Sequence, residues 1–111
     1  MDQNLSVEER SEPRKPLDVY LNKFTDDEPF MVRSADISRS GIYVHKLIEP
    51  ELSESSTVSL ELKLPNSEEV IWARGAIVRE GKRWGAEGVG IFFTVIPDGY
   101  RRLIEQYVST P

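Results

Sequence analysis

Val58-Ser59-Leu60-Glu61-Leu62-Lys63-Leu64 sets four large apolar side chains on one side of an extended chain and three polar ones on the other. A repeat of two residues over this length is the signature of a strand with one face in a core and one in water. Pro65-Asn66-Ser67 follows as a hairpin turn, and Val70 to Arg79 returns as a second β-rich segment. Glu80-Gly81-Lys82 then reads as a further turn, leading to a last strand over about Val89 to Val95. Gly85, Gly88 and Gly90 on its approach suggest a bulge or a tight bend. Upstream, Glu49 to Ser56 is polar and contains Pro50, as a solvated loop requires, and Ile42-Tyr43-Val44-His45 precedes it as a short strand. Phe30 to Ile37 is extended between the turns Asp26-Asp27-Glu28-Pro29 and Ser38 to Gly41, while Leu17, Val19 and Leu21 alternate with Asp18, Tyr20 and Asn22 as another half-buried strand.

The period changes at the end of the chain. After Pro97, Asp98 has the chemistry of an N-cap, and Tyr100, Leu103, Ile104, Tyr107 and Val108 fall on one face of an α-helix. Residues 1–16 hold two prolines, Glu8, Glu9 and Glu12 and almost no large apolar side chain, so they read as a flexible N-terminal arm. Residues 17–111 form the folded unit: short strands joined by turns, then one helix, the order of an all-β antiparallel barrel closed by a C-terminal helix. Tyr20 and Tyr43 fall on the outward phase, and Trp72 and Trp84 on core or rim positions.

The chain has 111 residues, a net charge of −5 and no cysteine. At this size it holds one core and hides roughly two-thirds of the surface it exposes when unfolded. Without cysteine there is no disulfide framework, thiolate metal site or thiol nucleophile. The first twenty residues lack the apolar run of a signal peptide, and nothing approaches the roughly 18 apolar residues of a membrane span. A cytoplasmic domain without membrane insertion is the expectation. The acidic balance disfavours binding a nucleic-acid polymer, which requires many phosphates to be neutralised. His45 is the sole histidine and has no triad partner at a suggestive spacing, and the paired carboxylates Asp26-Asp27 and Glu68-Glu69 lie in predicted turns. No catalytic residue, metal site or cofactor is therefore assigned, and the chain is not read as an enzyme.

Two clusters remain. Arg10 and Arg14 are four residues apart in the acidic arm, and in an extended segment both guanidinium forks can converge on one compact anion or guanine edge. Arginines so placed are equally at home in solvent. Asp36-Ile37-Ser38-Arg39-Ser40-Gly41 leaves a predicted strand. Its carboxylate can accept from the N1–H and N2–H edge of guanine, its hydroxyl can donate or accept, and Gly41 admits backbone conformations closed to other residues. The same hexapeptide also reads as an ordinary β-turn whose Asp and Ser bond their own backbone.

Taken together, the clusters resemble the PilZ domain family, β-barrel receptors for the bacterial second messenger cyclic di-GMP. Arg10 and Arg14 match the family's RxxxR motif, and Asp36, Ser38 and Gly41 match DxSxxG. ELKLP at Glu61–Pro65, IWARGAIVRE at Ile71–Glu80, GVGIFF at Gly88–Phe93 and the final helix fall in the family's order, so the resemblance covers about residues 10 to 108. It implies a six-stranded antiparallel barrel with one C-terminal helix and a ligand-binding set of Arg10, Arg14, Asp36, Ser38 and Gly41. It also implies that ligand draws the arm across the barrel and so signals to a partner protein. Arg39 either adds a phosphate contact or faces solvent. Glu12 lies inside the arginine motif and, like Glu8 and Glu9, opposes an anionic ligand. In the family the residue directly before the first arginine influences ligand number, with arginine favouring a stacked pair, so the resemblance implies that Glu9 disfavours the pair. A monomer is expected. The alternative is a PilZ-like adaptor of motility or pilus machinery that binds a protein and no nucleotide.

Overall fold

The computed structural model describes residues 12–25, 28–45, 57–83 and 86–111. Seven strands precede one helix: β1 (Arg14–Pro16), β2 (Tyr20–Thr25), β3 (Glu28–Ser38), β4 (Gly41–His45), β5 (Thr57–Leu62), β6 (Ile71–Arg83), β7 (Ala86–Val95) and α1 (Asp98–Ser109). All pairings are antiparallel, in the order β1-β3-β2-β5-β6-β7-β4, and a β3–β4 pairing closes the ring. β2 lies along the first half of β3, Glu28 to Arg33, and β1 along its end, Asp36 to Ser38. β1 therefore extends the line of β2, and the barrel has six strands around its circumference, as the resemblance implies. Residues 14–16, within the arm as read from the sequence, belong to this sheet.

The alternation that decides the fold is present: Val58, Leu60 and Leu62 are buried while Glu61 is exposed, and Leu64 continues the buried set past the strand end. They meet Leu21, Val32, Ile37, Ile42, Val44, Ile71, Val89, Ile91 and Phe93 inside the barrel. Each such side chain contributes about 1.5–3 kcal/mol of burial. Ile104 is fully buried and Tyr107 nearly so, which seats α1 on β3 and β1, with Tyr100, Leu103 and Val108 packed at the edge of the core.

Three details differ from the sequence reading. β6 does not turn at Glu80-Gly81-Lys82; it runs to Arg83, with Gly81 opposite Gly88 and Lys82 opposite Glu87. Ladder bonds need only backbone, so one glycine does not end a strand whose partner continues beside it. The N-cap of α1 is Pro97, and Asp98 sits inside the first turn without a capping side-chain bond. There its charge still complements the helix dipole. Of the glycines on the approach to the last strand, Gly90 faces a bulge that lies on β6, where Val78 is the extra residue opposite Gly90 and Ile91, and β7 has its own extra residue further on, at Thr94. Asp26-Asp27, the Glu49–Ser56 loop, Trp84 and Gly85 lie outside the described residues.

A further bulge, on β3, positions the site. Ser34 pairs with Val44 and Asp36 with Tyr43, which leaves Ala35 as the extra residue. Val32 and Ser34 point inward, and unbroken alternation would send Asp36 inward too. The extra residue reverses the phase: Ile37 becomes core at 0% exposure, and Asp36 and Ser38 face the side on which β1 lies. The Ser34 hydroxyl donates to the Leu17 carbonyl and accepts from the Val19 N–H, filling the break between β1 and β2.

Gly41 is required by packing. A Cβ there would stand 2.4 Å from the Ile91 carbonyl oxygen on β7. Its backbone is not left-handed, so the conformational freedom suggested by the sequence is not what the position uses. Gly41→Ala is expected to push β4 from β7 and cost about 2–3 kcal/mol of stability, read as a lowered midpoint in urea unfolding; an unchanged midpoint would show that the two strands are not held this close.

Candidate functional site

Register brings the motif residues together. On β1, Arg14 lies opposite Ser38 and Pro16 opposite Asp36. The Arg14 guanidinium donates from Nε (3.1 Å) and Nη2 (2.5 Å) to Asp36 Oδ1, and from Nη1 to Ser38 Oγ at 3.3 Å. The Asp36 side chain is mostly covered, while Arg14 keeps 39% of its side-chain surface in solvent. Arg14, Asp36 and Ser38 thus form one connected unit, and Gly41 follows the Arg39-Ser40 turn directly as the first residue of β4. Arg10 lies outside the described residues.

The turn reading of the hexapeptide is also realised. Ser38 Oγ accepts from the Ser40 N–H at 3.3 Å and donates to the Gly41 carbonyl at 3.4 Å. Arg39 is tied on two sides: its Nε is 3.5 Å from Glu12 Oε2, its Nη1 donates to Glu105 Oε2 at 3.3 Å, and its carbonyl accepts from Arg101 at 2.8 Å. Glu12 Oε1 accepts from Ser40 Oγ at 2.5 Å. Partial burial alone would raise the Glu12 carboxyl, but the Ser40 and Ser38 hydroxyls and the charges of Arg39 and Arg14 outweigh it and hold the group below its ordinary value of 4.5.

Beside Arg14 and Asp36 a groove of about 500 Å³ runs along the outside of the barrel, walled by Lys15, Pro16, Asp18, Arg33 and His45. Arg33 makes a two-pronged bond to Asp18, 2.6 Å from Nε and 2.8 Å from Nη2, which holds the Asp18 carboxyl below the usual carboxylate range. Lys15 donates to the carbonyls of Tyr107 (3.2 Å) and Thr110 (2.8 Å) and lies 4.2 Å over the Tyr107 ring, while Tyr107 Oη donates to the Pro16 carbonyl at 2.9 Å. Lacking a basic residue in its own last turn, α1 has its C-terminal carbonyls capped by a cation of the arm.

Sequence reasoning did not single out Arg33, Asp18 or Ser40, and noted Lys15 only as adjacent to the arginine pair. Arg33 is three residues from Asp36, an odd spacing that alternation assigns to opposite faces; only the Ala35 bulge brings both to one groove. Of the outward tyrosines, Tyr20 is exposed, whereas Tyr43 is 2% exposed, with its ring 2.9 Å from where a Cβ on Gly88 would stand and edge-on to His45. Trp72 lies on the outer face opposite Glu61, away from the core and the groove. Among the described residues no group of three or more His, Asp or Glu is placed to hold a metal ion, and no helix is long and apolar enough to cross a membrane.

Fold and site together define a small β-barrel whose arginine-bearing N-terminal strand is fastened over an Asp-x-Ser turn. The PilZ domain profile matches residues 8–110, and the chain belongs to that family of cyclic di-GMP receptors. Among solved structures, the Bacillus subtilis inhibitor of motility (MotI/DgrA) is similar with a TM-score of 0.74 at 21% identity, over 90% of this chain and 49% of that one. The Borreliella burgdorferi PlzA protein, in complex with cyclic di-GMP, gives 0.65 at 18% identity over 96% of this chain and 44% of that one. The PilZ domain of YcgR from Escherichia coli, with cyclic di-GMP, gives 0.68 at 11% identity over 90% and 88%. The chain thus spans about half the length of the first two. A search of curated protein sequences found no significant match.

Because Glu12 is more acidic in the folded state, its contribution to stability is fully present above pH 4.5 and is lost as the pH falls through the lowered value. The stability gap between wild type and Glu12→Gln, measured by urea unfolding across a pH series, is expected to close in that window. A gap independent of pH would show that the ionised carboxylate is not the form being held.

Proposed function

We propose that this domain is a cyclic di-GMP receptor that signals to a partner protein through its N-terminal arm and has no catalysis of its own. The observation that carries the reading is the Arg14–Asp36–Ser38 unit at the edge of a groove, in a family whose structural neighbours from Borreliella burgdorferi and Escherichia coli were solved with this ligand. The chemistry is an exchange of partners. Arg14 turns from Asp36 to a phosphate or to the O6/N7 edge of a guanine, and Asp36 turns to the N1–H and N2–H donors that a guanine offers. Charge is conserved in the exchange, so no carboxylate or guanidinium is left buried and unpaired. Ser38 follows as a third polar contact, and Arg10 supplies the second guanidinium from the arm.

The readout starts from the same arm. Lys15 and Pro16 are bonded to the last turn of α1, so a ligand that shifts Arg14 also strains the Lys15 and Tyr107 bonds. The surface offered to a partner at the arm and helix end then differs between free and bound forms. We place this action in the cytoplasm, on a monomeric domain. A second reading, a protein adaptor that takes no nucleotide, is favoured by one observation: Arg14 and Arg39 already have carboxylate partners within the chain.

Isothermal titration with cyclic di-GMP, with GMP as control, separates the two. Saturation at one ligand per chain is expected, absent with GMP. Arg14→Ala is expected to weaken binding by about 2 kcal/mol, roughly thirtyfold, and to lower the stability of the free domain by about 1 kcal/mol through loss of its partly exposed pair. No heat with the wild-type domain would favour the adaptor; undiminished binding by Arg14→Ala would remove Arg14 from the site.

A further inference from the structure

The β3–β4 turn already binds an anion. The Glu12 carboxylate takes a hydrogen bond from Ser40 Oγ at 2.5 Å and faces Arg39 Nε at 3.5 Å, and the Ser38 hydroxyl and the charge of Arg14 act on it as well. Its side chain keeps only 21% of its surface in solvent, so the group is lodged in the turn and does not merely lie over it. Two hydroxyls and two guanidinium groups converging on one carboxylate make the donor set that a phosphodiester oxygen also requires. Arg39 also donates from Nη1 to Glu105 on α1 at 3.3 Å. Arg39 and Ser40 are two of the three unspecified positions of the Asp-x-Ser-x-x-Gly motif, and Glu12 is one of the unspecified positions of the arginine motif.

We propose that Ser40 and Arg39, with the Ser38 hydroxyl, form a phosphate subsite that the Glu12 carboxylate fills in the free protein, so that a ligand phosphate enters only by displacing it. The inference rests on the receptor reading and adds to it the residues of one phosphate contact and the reason affinity is held down. Glu12 belongs to the same chain as the turn it occupies and competes at the high effective concentration of a tethered group, whatever the ligand concentration. Once displaced, it leaves its two donors to the phosphate and carries its negative charge away with residues 12 and 13, between the two motif arginines.

The test is titration of the full chain with cyclic di-GMP in four forms: wild type, Glu12→Gln, Glu12→Ala, and Glu12→Gln combined with Ser40→Ala. Circular dichroism melting of each form verifies that it is folded. Glu12→Gln is expected to bind about tenfold tighter than wild type, because it keeps the shape and removes the competing charge, and Glu12→Ala at least as tightly. Ser40→Ala in the Glu12→Gln background is expected to weaken binding about fivefold, the cost of one hydroxyl contact to a charged oxygen. Binding by Glu12→Gln alone, with none by wild type, would also support the subsite. Wild-type binding that neither Glu12 substitution tightens, or a combined variant equal to Glu12→Gln, would overturn the subsite and leave the receptor reading standing. Absence of binding in all four folded forms would overturn both.

Discussion

The extra residue at Ala35 is the constraint on which the rest of this molecule depends. A barrel strand has one inward and one outward phase, and β3 must serve the core at both ends. Val32 and Ile37 are both fully buried, yet they lie five positions apart, an odd offset that puts them on opposite faces of an unbroken strand. The bulge resolves the conflict, and Asp36 and Ser38 turn outward as its consequence. It also opens the facing edge: the Ala35 carbonyl accepts from the Leu17 N–H, and the Ser34 hydroxyl occupies the gap between β1 and β2. One local irregularity therefore aims the polar side chains, anchors the arm beside them and shapes the groove between.

The arm is held by polar bonds at its surface and by little apolar area. Arg14 to Asp36, Lys15 to the end of α1, Tyr107 to Pro16 and Glu12 to Ser40 form a chain of contacts that links the turn, the arm and the helix. Partly exposed pairs of this kind contribute about 0–1 kcal/mol each, so the arm can be redirected at small cost while the barrel, held by its apolar interior, stays as it is. That separation of energies is what the proposed receptor requires: an arm that is weakly fastened beside a barrel that is firmly held.

The sequence conveys the fold through residues whose role is local. Alternation from Val58 to Leu64 and the Tyr100, Leu103, Ile104, Tyr107 face of α1 need no knowledge of partners, and both stand where the pattern puts them. Arg14, Asp36 and Ser38 were nominated by motif spacing, and register does join them. What escaped depends on which residues lie opposite one another. The Arg33–Asp18 bond, the length of β6 and the packing need for glycine at position 41 follow from pairings that no single segment encodes. Glu12 shows the difference most plainly: charge alone marks it as repulsive to an anion, and only its place beside Ser40 and Arg39 reveals that it is itself the anion bound there.

The most direct test of the account is to follow the backbone amide resonances of the isotopically labelled domain as cyclic di-GMP is added. The account predicts that the largest changes cluster at residues 12–16, at Asp36–Gly41 and along the groove at Arg33 and His45, with smaller ones at the end of α1. Changes confined to another face of the barrel, or none while the spectrum remains that of a folded domain, would contradict it.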